Sequence, residues 1–342
     1  MISFLIPVFN TKKYLPECLD SILCQTGAKF EIVLVDDGST DGSDALCDEY
    51  AQKYPDIIRV IHKNNEGLLL TRRRGFREAK GDLFICVDSD DYIAPDLLKT
   101  VVQMIQEYNC DMVMYYFDYV DDEGTYTASR LSIPDKTIYE KESKQDIYEK
   151  RLLSVDVNSM CMRAVRRDIL DIDADYSGYG IRNMCEDAIQ ILPLYTNAKK
   201  IVYTSKPLYH YRKGQNSITA KRSLESWLSS KKCHEMTKPY LDIWGVDNQV
   251  KSKFYTQACE TVVNFARWLI AEKNDAQTKS LLMALQKDES FQKCYREMKK
   301  DCFTTNYLRF CVPKCMRWIQ KGKIFSLKVY FGFERFAIKR LK

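Results

Sequence analysis

Three carboxylates, Asp88, Asp90 and Asp91, close the apolar run Phe84–Val87 in the stretch FICVDSDDYIAPD. Acids this close raise one another's pKa, and a divalent cation that neutralises them removes the conflict. Oxygen donors at D-x-D spacing suit Mg2+ or Mn2+, which also take phosphate oxygens as ligands. A solvated acidic turn leading into a helix is the plain alternative. An EF-hand calcium loop is excluded, because the glycine it needs at its sixth position is Ile93 here. A haloacid-dehalogenase phosphatase would need its DxD early in the fold, with further lysine and acidic motifs that this chain lacks. Four other groups could do chemistry: Asp36–Asp37 in VLVDDGSTDGS, Arg72–Arg74 in TRRRG, Glu186–Asp187 in CEDAIQ, and His210 in YHYR.

The elements that must hold these residues follow from periodicity. Ser3–Val8, Glu31–Val35, Ile57–Ile61, Leu83–Val87 and Met112–Phe117 read as buried strands. Between them Tyr14–Gln25, Ser43–Tyr54, Gly67–Ala79 and Pro95–Tyr108 carry helical spacing. This alternation predicts an α/β fold, a mostly parallel sheet with helices on both faces. Ligands of such sheets sit beyond the carboxyl ends of the strands, which puts Asp36–Asp37 and Asp88–Asp91 on one rim. Residues 118–175 are polar and irregular, a flexible connection or an acceptor-side loop. From Ser223 to about Lys300 the pattern is helical, and no internal repeat is evident.

Composition narrows the class. The chain has 342 residues, 45% of them apolar, and a net charge of +5. That charge is divided: residues 306–342 hold ten Lys/Arg against one acid, Glu334, which makes them +9 and the rest −4. Thirteen cysteines without CxxC spacing argue against zinc ribbons and a disulfide framework, and for reduced thiols in a cytoplasmic protein. The opening SFLIPVF does not read as a signal peptide, and no apolar run reaches the ~20 residues that span a bilayer.

Taken in order, SFLIPVFNTKKYLPECLDSILCQT, FEIVLVDDGSTDGS, NNEGLLLTRRRG and AKGDLFICVDSDDYIAPD resemble a family 2 inverting glycosyltransferase of the GT-A (Rossmann-like) fold. The resemblance is continuous over about 1–120 and resumes near 176–219. It implies a GT-A domain at 1–220, with a donor half (1–120) and an acceptor half (121–220), followed by a helical region at 221–342. It further implies a nucleotide-sugar site in which Pro7, Phe9 and Asp37 line the nucleobase pocket, with Asp36 a structural partner. Asp88 would lie near the ribose and metal, Ser89 would belong to the donor-binding set, and Asp90 would be the direct ligand of Mn2+ or Mg2+. Arg72 matches an arginine near the diphosphate, while Arg73 departs from the family's usual asparagine. The arginine run is either extra phosphate-side charge or one functional arginine with two solvated neighbours, and we adopt the second.

The same resemblance makes GYGIRNMCEDAIQILPLY the family's ED segment, with Asp187 the general base and Glu186 beside the acceptor. A carboxylate pair that merely favours a helix start is the bland reading. In YHYRKGQNSIT, His210 either completes the cation's ligands or packs, and Arg212, Asn216 and Ser217 can form a lid over the diphosphate. The expected reaction is single-displacement transfer from a nucleotide donor, expected to be UDP-linked, to a hydroxyl of a glycan or lipid-linked saccharide, as in surface or exopolysaccharide synthesis. A nucleotidyltransferase of similar fold and a non-catalytic sugar-nucleotide or glycan-binding protein are the rival classes.

On a helical wheel at ~100° per residue, Lys321, Lys328, Arg335, Lys339 and Lys342 share an arc, with Phe325, Tyr330, Phe333, Phe336 and Leu341 elsewhere. Such a segment either lies on an anionic membrane at the inner face of the cell envelope or packs on the domain. No nucleic-acid recognition motif accompanies the charge.

Overall fold

The computed structural model describes residues 1–154, 157–213, 223–273 and 275–340, apart from the side chains of 275, 306, 333 and 335–340. Asn216, Ser217, Leu341 and Lys342, and the side chains of Phe333, Arg335, Phe336 and Lys339, therefore lie outside the described residues. The chain divides into two compact units, Met1–Thr237 and Lys238–Lys342. Where the sequence pattern sets the first domain's edge at 220, the compact unit runs on to Thr237.

The first unit is a mixed α/β layer. Its strands are β1 (Ile2–Val8), β2 (Phe30–Asp36), β3 (Ile58–His62), β4 (Leu83–Cys86), β5 (Tyr92–Ile93), β6 (Met112–Val120), β7 (Tyr126–Ala128), β8 (Ile138–Glu140), β9 (Arg163–Arg166) and β10 (Lys200–Arg212). Its helices are α1 (Leu15–Leu23), α2 (Ser43–Lys53), α3 (Leu68–Glu78), α4 (Leu97–Tyr108), α5 (Lys144–Leu153) and α6 (Glu186–Asn197), and α7 (Leu224–Ile243) crosses into the second unit. The sheet runs β3-β2-β1-β4-β9-β6-β10-β5, with β7 on β6 and β8 on β10. All seven residues of β1 are buried, as a strand covered on both faces requires. Leu15, Cys18, Leu19 and Ile22 form the buried stripe of α1, at i, i+3, i+4 and i+7.

The parallel pairs β3–β2, β2–β1 and β1–β4 realise the expected alternation. The region expected to be irregular does not stay outside the sheet. β9, drawn from it, is a central strand, antiparallel to β4 on one side and to β6 on the other. Its sequence, Arg-Ala-Val-Arg, lacks the apolar run that marks a central strand. Arg163 is nonetheless buried, because its guanidinium donates to the Val157 carbonyl (2.6 Å) and the Ser159 carbonyl (2.9 Å) and lies over the Tyr195 ring.

The second unit is helical among the described residues: α8 (Asn248–Glu272), α9 (Asp275–Lys287), α10 (Glu289–Glu297), α11 (Asn306–Gln320) and α12 (Ile324–Arg340). Phe254, Cys259, Val262, Val263, Ala266 and Leu269 give α8 a buried face against α10 and α11. All thirteen cysteines are free thiols.

Candidate active site

The rim beyond β1, β2 and β4 gathers the acids found in sequence. The gathering centre is a residue whose part there the sequence does not reveal. Arg72 lies on the buried face of α3 with Leu69, Arg73 and Phe76, and its side chain is wholly shielded from water. One terminal nitrogen, Nη2, donates to Asp88 Oδ1 at 2.7 Å. The other, Nη1, bonds Asp187 Oδ1 and stands 3.7 Å from Glu186 Oε1. A single guanidinium thus ties the DxD segment to the ED segment, two motifs about one hundred residues apart in sequence. Its fork geometry makes this possible, since a lysine would offer one point charge.

A close approach of backbones brings the two segments together. Gly67 precedes α3 at φ +91°, and a Cβ there would meet Arg182 Cβ at 2.8 Å. Leu68 N–H donates to Asn183 Oδ1 (2.9 Å) and Leu69 N–H to the Arg182 carbonyl (3.0 Å). α6 then begins with Glu186 and Asp187 in its first turn. Burial first, and then the Asp187 charge, push the Glu186 carboxyl up to about 8. Burial also raises Asp187, against the pull of Arg72 at direct contact. Glu186, at about 8, holds a proton at neutral pH, while Asp187 is hydrogen-bonded to the guanidinium, whose charge opposes the burial that raises it. A protonated acid beside a carboxylate held on a cation suits one acidic and one basic role.

Arg73 is not the solvated neighbour anticipated from sequence. It is 2% exposed, its Nη1 donates to Asp171 at 2.9 Å, and its guanidinium lies 4.7 Å from the Tyr176 ring centroid. Only Arg74 of the run faces water. Spacing carried the signal: positions 69, 72, 73 and 76 follow i, i+3, i+4, i+7, so two arginines occupy core-face positions.

The three aspartates divide the work. Asp91 turns inward, where it accepts from the Tyr209 hydroxyl (2.6 Å) and from the Arg212 N–H (2.8 Å). Tyr209 in turn accepts the Asp88 N–H (3.2 Å), so β10 fixes the loop from behind. Asp90 faces outward. Its side chain is exposed, yet desolvation by the surrounding loop, together with the Asp88 charge, pushes its pKa up to about 6. Asp90 and Asp88, two hard oxygen donors without a full counter-charge, fit Mg2+ or Mn2+ if phosphate oxygens and water supply the remaining ligands. Among the described residues no three His, Cys, Asp or Glu side chains cluster as a cage. His210 instead packs on Tyr92 (centroids 4.8 Å apart) and Tyr126 (5.2 Å), and burial lowers its pKa.

Arg212 sits at the mouth rather than over it. Its guanidinium lies between the rings of Tyr14 (4.9 Å) and Tyr92 (5.5 Å), donates to the Asp90 carbonyl (3.0 Å) and pairs with Glu17. Ser89 is buried and accepts from the Thr11 hydroxyl at 2.9 Å, joining this loop to the one after β1.

At the other end of the rim, Pro7 is buried in β1 and Phe9, just past it, is 47% exposed. Asp37 accepts the N–H groups of Glu66 (2.9 Å) and Gly67 (2.8 Å) and pairs with Lys63. A carboxylate offers about four acceptor positions, so one remains beside these three donors. Asp36 accepts from Ser39 N–H (3.0 Å) and pairs with His62 (3.1 Å). Gly38, at φ +77°, lets the chain turn directly after the two, where a Cβ would press on the Asn65 nitrogen at 3.2 Å. Lys63 went unnoticed in sequence, since a lysine ending a strand is commonplace.

Comparison with known proteins reaches the family and the fold. A family profile described as glycosyl transferase family 2 matches residues 3–172. "Glycosyltransferase GlyG" of Streptococcus pneumoniae serotype 4 is 31% identical over 238 residues, which cover 66% of this chain and 75% of that protein. Two solved structures share the fold. Staphylococcus aureus TarS 1–349 in complex with UDP-GlcNAc has a TM-score of 0.65 at 18% identity, covering 98% of this chain and 92% of that one. GalNAc-T7 with UDP, GalNAc and Mn2+ has a TM-score of 0.53 at 17% identity, covering 76% of this chain and 51% of that one.

Proposed function

The chain belongs to glycosyl transferase family 2 and is a glycosyltransferase, and from that premise we propose that it moves a sugar from a UDP-linked donor to an acceptor hydroxyl with inversion. The acceptor class is a glycan or lipid-linked saccharide of the kind assembled into surface polysaccharide. One observation carries the reading: Asp88 and the Glu186–Asp187 pair meet on the Arg72 guanidinium. A donor diphosphate held at the DxD segment then lies beside a carboxylate able to accept a proton. The UDP complexes of the two solved structures of this fold support the donor class.

Each residue has a stated task. Phe9, with Pro7 behind it, offers a ring face to a flat base, and the remaining acceptor position of Asp37 can take the base's ring N–H. Asp90, with Asp88, would hold Mg2+ or Mn2+, which when bound offsets charge on the departing diphosphate. Asp187 takes the acceptor proton as the hydroxyl oxygen attacks the anomeric carbon. Arg72 keeps Asp187 ionised and aimed, and so acts as a positioning residue. Glu186 stays protonated and can donate a hydrogen bond to the acceptor.

Purified protein incubated with Mn2+ and a panel of sugar nucleotides should release UDP slowly from one UDP-sugar. Asp90→Asn should weaken donor binding at least tenfold in the presence of metal and leave metal-free binding unchanged. Pyrophosphate as the product would mean nucleotidyl transfer, and no turnover of any donor with or without acceptor would mean a binding protein. Either result sinks the proposal.

A further inference from the structure

We infer that the hairpin formed by α11 and α12 is a docking surface for an anionic phospholipid membrane. The single wheel drawn through Lys321 to Lys342 does not hold. α11 ends at Gln320, and Gly322, at φ +65°, turns the chain into α12, so Lys321 and Lys328 do not share a helix.

The described residues present a different surface. α11 buries Cys311, Val312, Cys315, Met316 and Ile319. Its opposite side carries Tyr307, Phe310, Lys314, Arg317 and Lys321, all within one helical stripe. Phe310 is 64% exposed and Tyr307 49%. α12 buries Leu327 and Phe331 and turns outward Phe325, 79% exposed, and Val329, 41% exposed. Lys314 spans the hairpin, with its ammonium over the rings of Phe310 (5.1 Å) and Trp318 (4.9 Å) on α11 and Tyr330 (5.6 Å) on α12. The one acid of the segment, Glu334, is taken by Arg267 at 2.8 Å. Arg309, Arg317, Lys321 and Lys323 remain exposed around the apolar side chains.

Neither the core nor local ion pairing accounts for two phenylalanines left this far in water. Aromatic side chains ringed by cations match the interface of an anionic bilayer, where rings enter the headgroup boundary and lysines meet phosphate. Self-pairing would set like charges face to face. A single-stranded nucleic acid would meet the charge and can stack bases on exposed rings, but it gains nothing from exposed Val329, and no recognition motif accompanies the surface. Among the described residues no helix is long and apolar enough to cross a membrane, so the contact is peripheral. This inference stands apart from the sugar chemistry and survives the failure of that proposal.

Flotation of the full chain with vesicles tests it. The chain should float with vesicles of phosphatidylcholine plus phosphatidylglycerol, stay behind with pure phosphatidylcholine, and detach as salt is raised. The double variant Phe310→Ser, Phe325→Ser should bind at least tenfold more weakly. Lys321→Ala and Lys323→Ala should each cost about fivefold. Unchanged melting temperature and donor hydrolysis in these variants show that the fold is intact. Equal partitioning of wild type and the double variant would overturn the inference. So would equal binding to neutral vesicles, or a wild-type dimer in sedimentation that the same substitutions dissolve without any vesicle binding.

Discussion

Asp187→Asn is expected to lower sugar transfer by about two to four orders of magnitude, the usual contribution of a general base, while donor affinity stays within about twofold. The amide keeps the shape of the carboxylate and can still accept from Arg72, but it cannot take a proton. Glu186 does not replace it: the Asp187 charge is gone from this variant, but burial, the larger cause of the raised Glu186 pKa, remains and still favours the protonated acid. Two measurements separate the roles. Glu186→Gln should keep the acid limb of the kcat/KM profile where wild type has it, since that limb reports the ionisation of Asp187. The same variant should gain stability relative to wild type at high pH. The folded chain holds the Glu186 carboxyl above its usual 4.5, so between 4.5 and about 8 it binds more protons than the unfolded chain, and stability falls as pH rises through that window. Wild-type transfer rates in Asp187→Asn, measured with saturating donor and acceptor, would remove Asp187 from the base role.

Arg72→Met should be the most damaging single change to the fold of the site. It leaves Asp88, Glu186 and Asp187 facing one another in a half-buried cluster without their shared cation. Breaking a buried ion pair from one side costs about 3–5 kcal/mol. The penalty depends on pH in a definite direction. Without the guanidinium the folded pKa values of these acids rise, so the deficit is small at low pH, where they are neutral in both states, and grows as the pH rises. Thermal melting of variant and wild type should therefore converge toward pH 4 and diverge toward pH 8. Residual activity should fall about a hundredfold, as expected when a catalytic group loses its aim, and its acid limb should move to higher pH. Arg72→Lys should recover stability better than rate, because one ammonium can offset charge but cannot hold both motifs. A melting difference that does not change with pH would show that Arg72 fills space and does not balance charge.

Much of this was legible in the residues themselves. Five of the six strands and the four helices begun within the first 117 residues announce themselves, because covered strands are largely apolar and the helices carry a 3.6-residue stripe; the two-residue β5 is too short to do so. The carboxylate rim follows from that alternation. Two things escaped for one physical reason: buried arginine looks like surface in a hydropathy pattern. Arg72 and Arg73 read as phosphate-side or solvated charge, yet both lie inside, held by acids distant in sequence. Arg163 hid a central strand in the same way, since its hydrogen bonds to Val157 and Ser159 are invisible to any periodicity. A wheel drawn from Lys321 onward cannot show the turn at Gly322, which divides the segment into two helices with separate faces.

The position of β9 bears on how the protein can be made. β4, which leads into the aspartate loop, pairs on one edge with β1 and on the other with β9, some eighty residues downstream. While the ribosome has released only the first 120 residues, that second edge has no mate, and its open row of amides and carbonyls invites pairing with another nascent chain. The end of the sheet that carries the aspartate loop therefore cannot mature ahead of the rest: it waits for Arg163–Arg166 to arrive and close the gap, a late, long-range step of the slow kind.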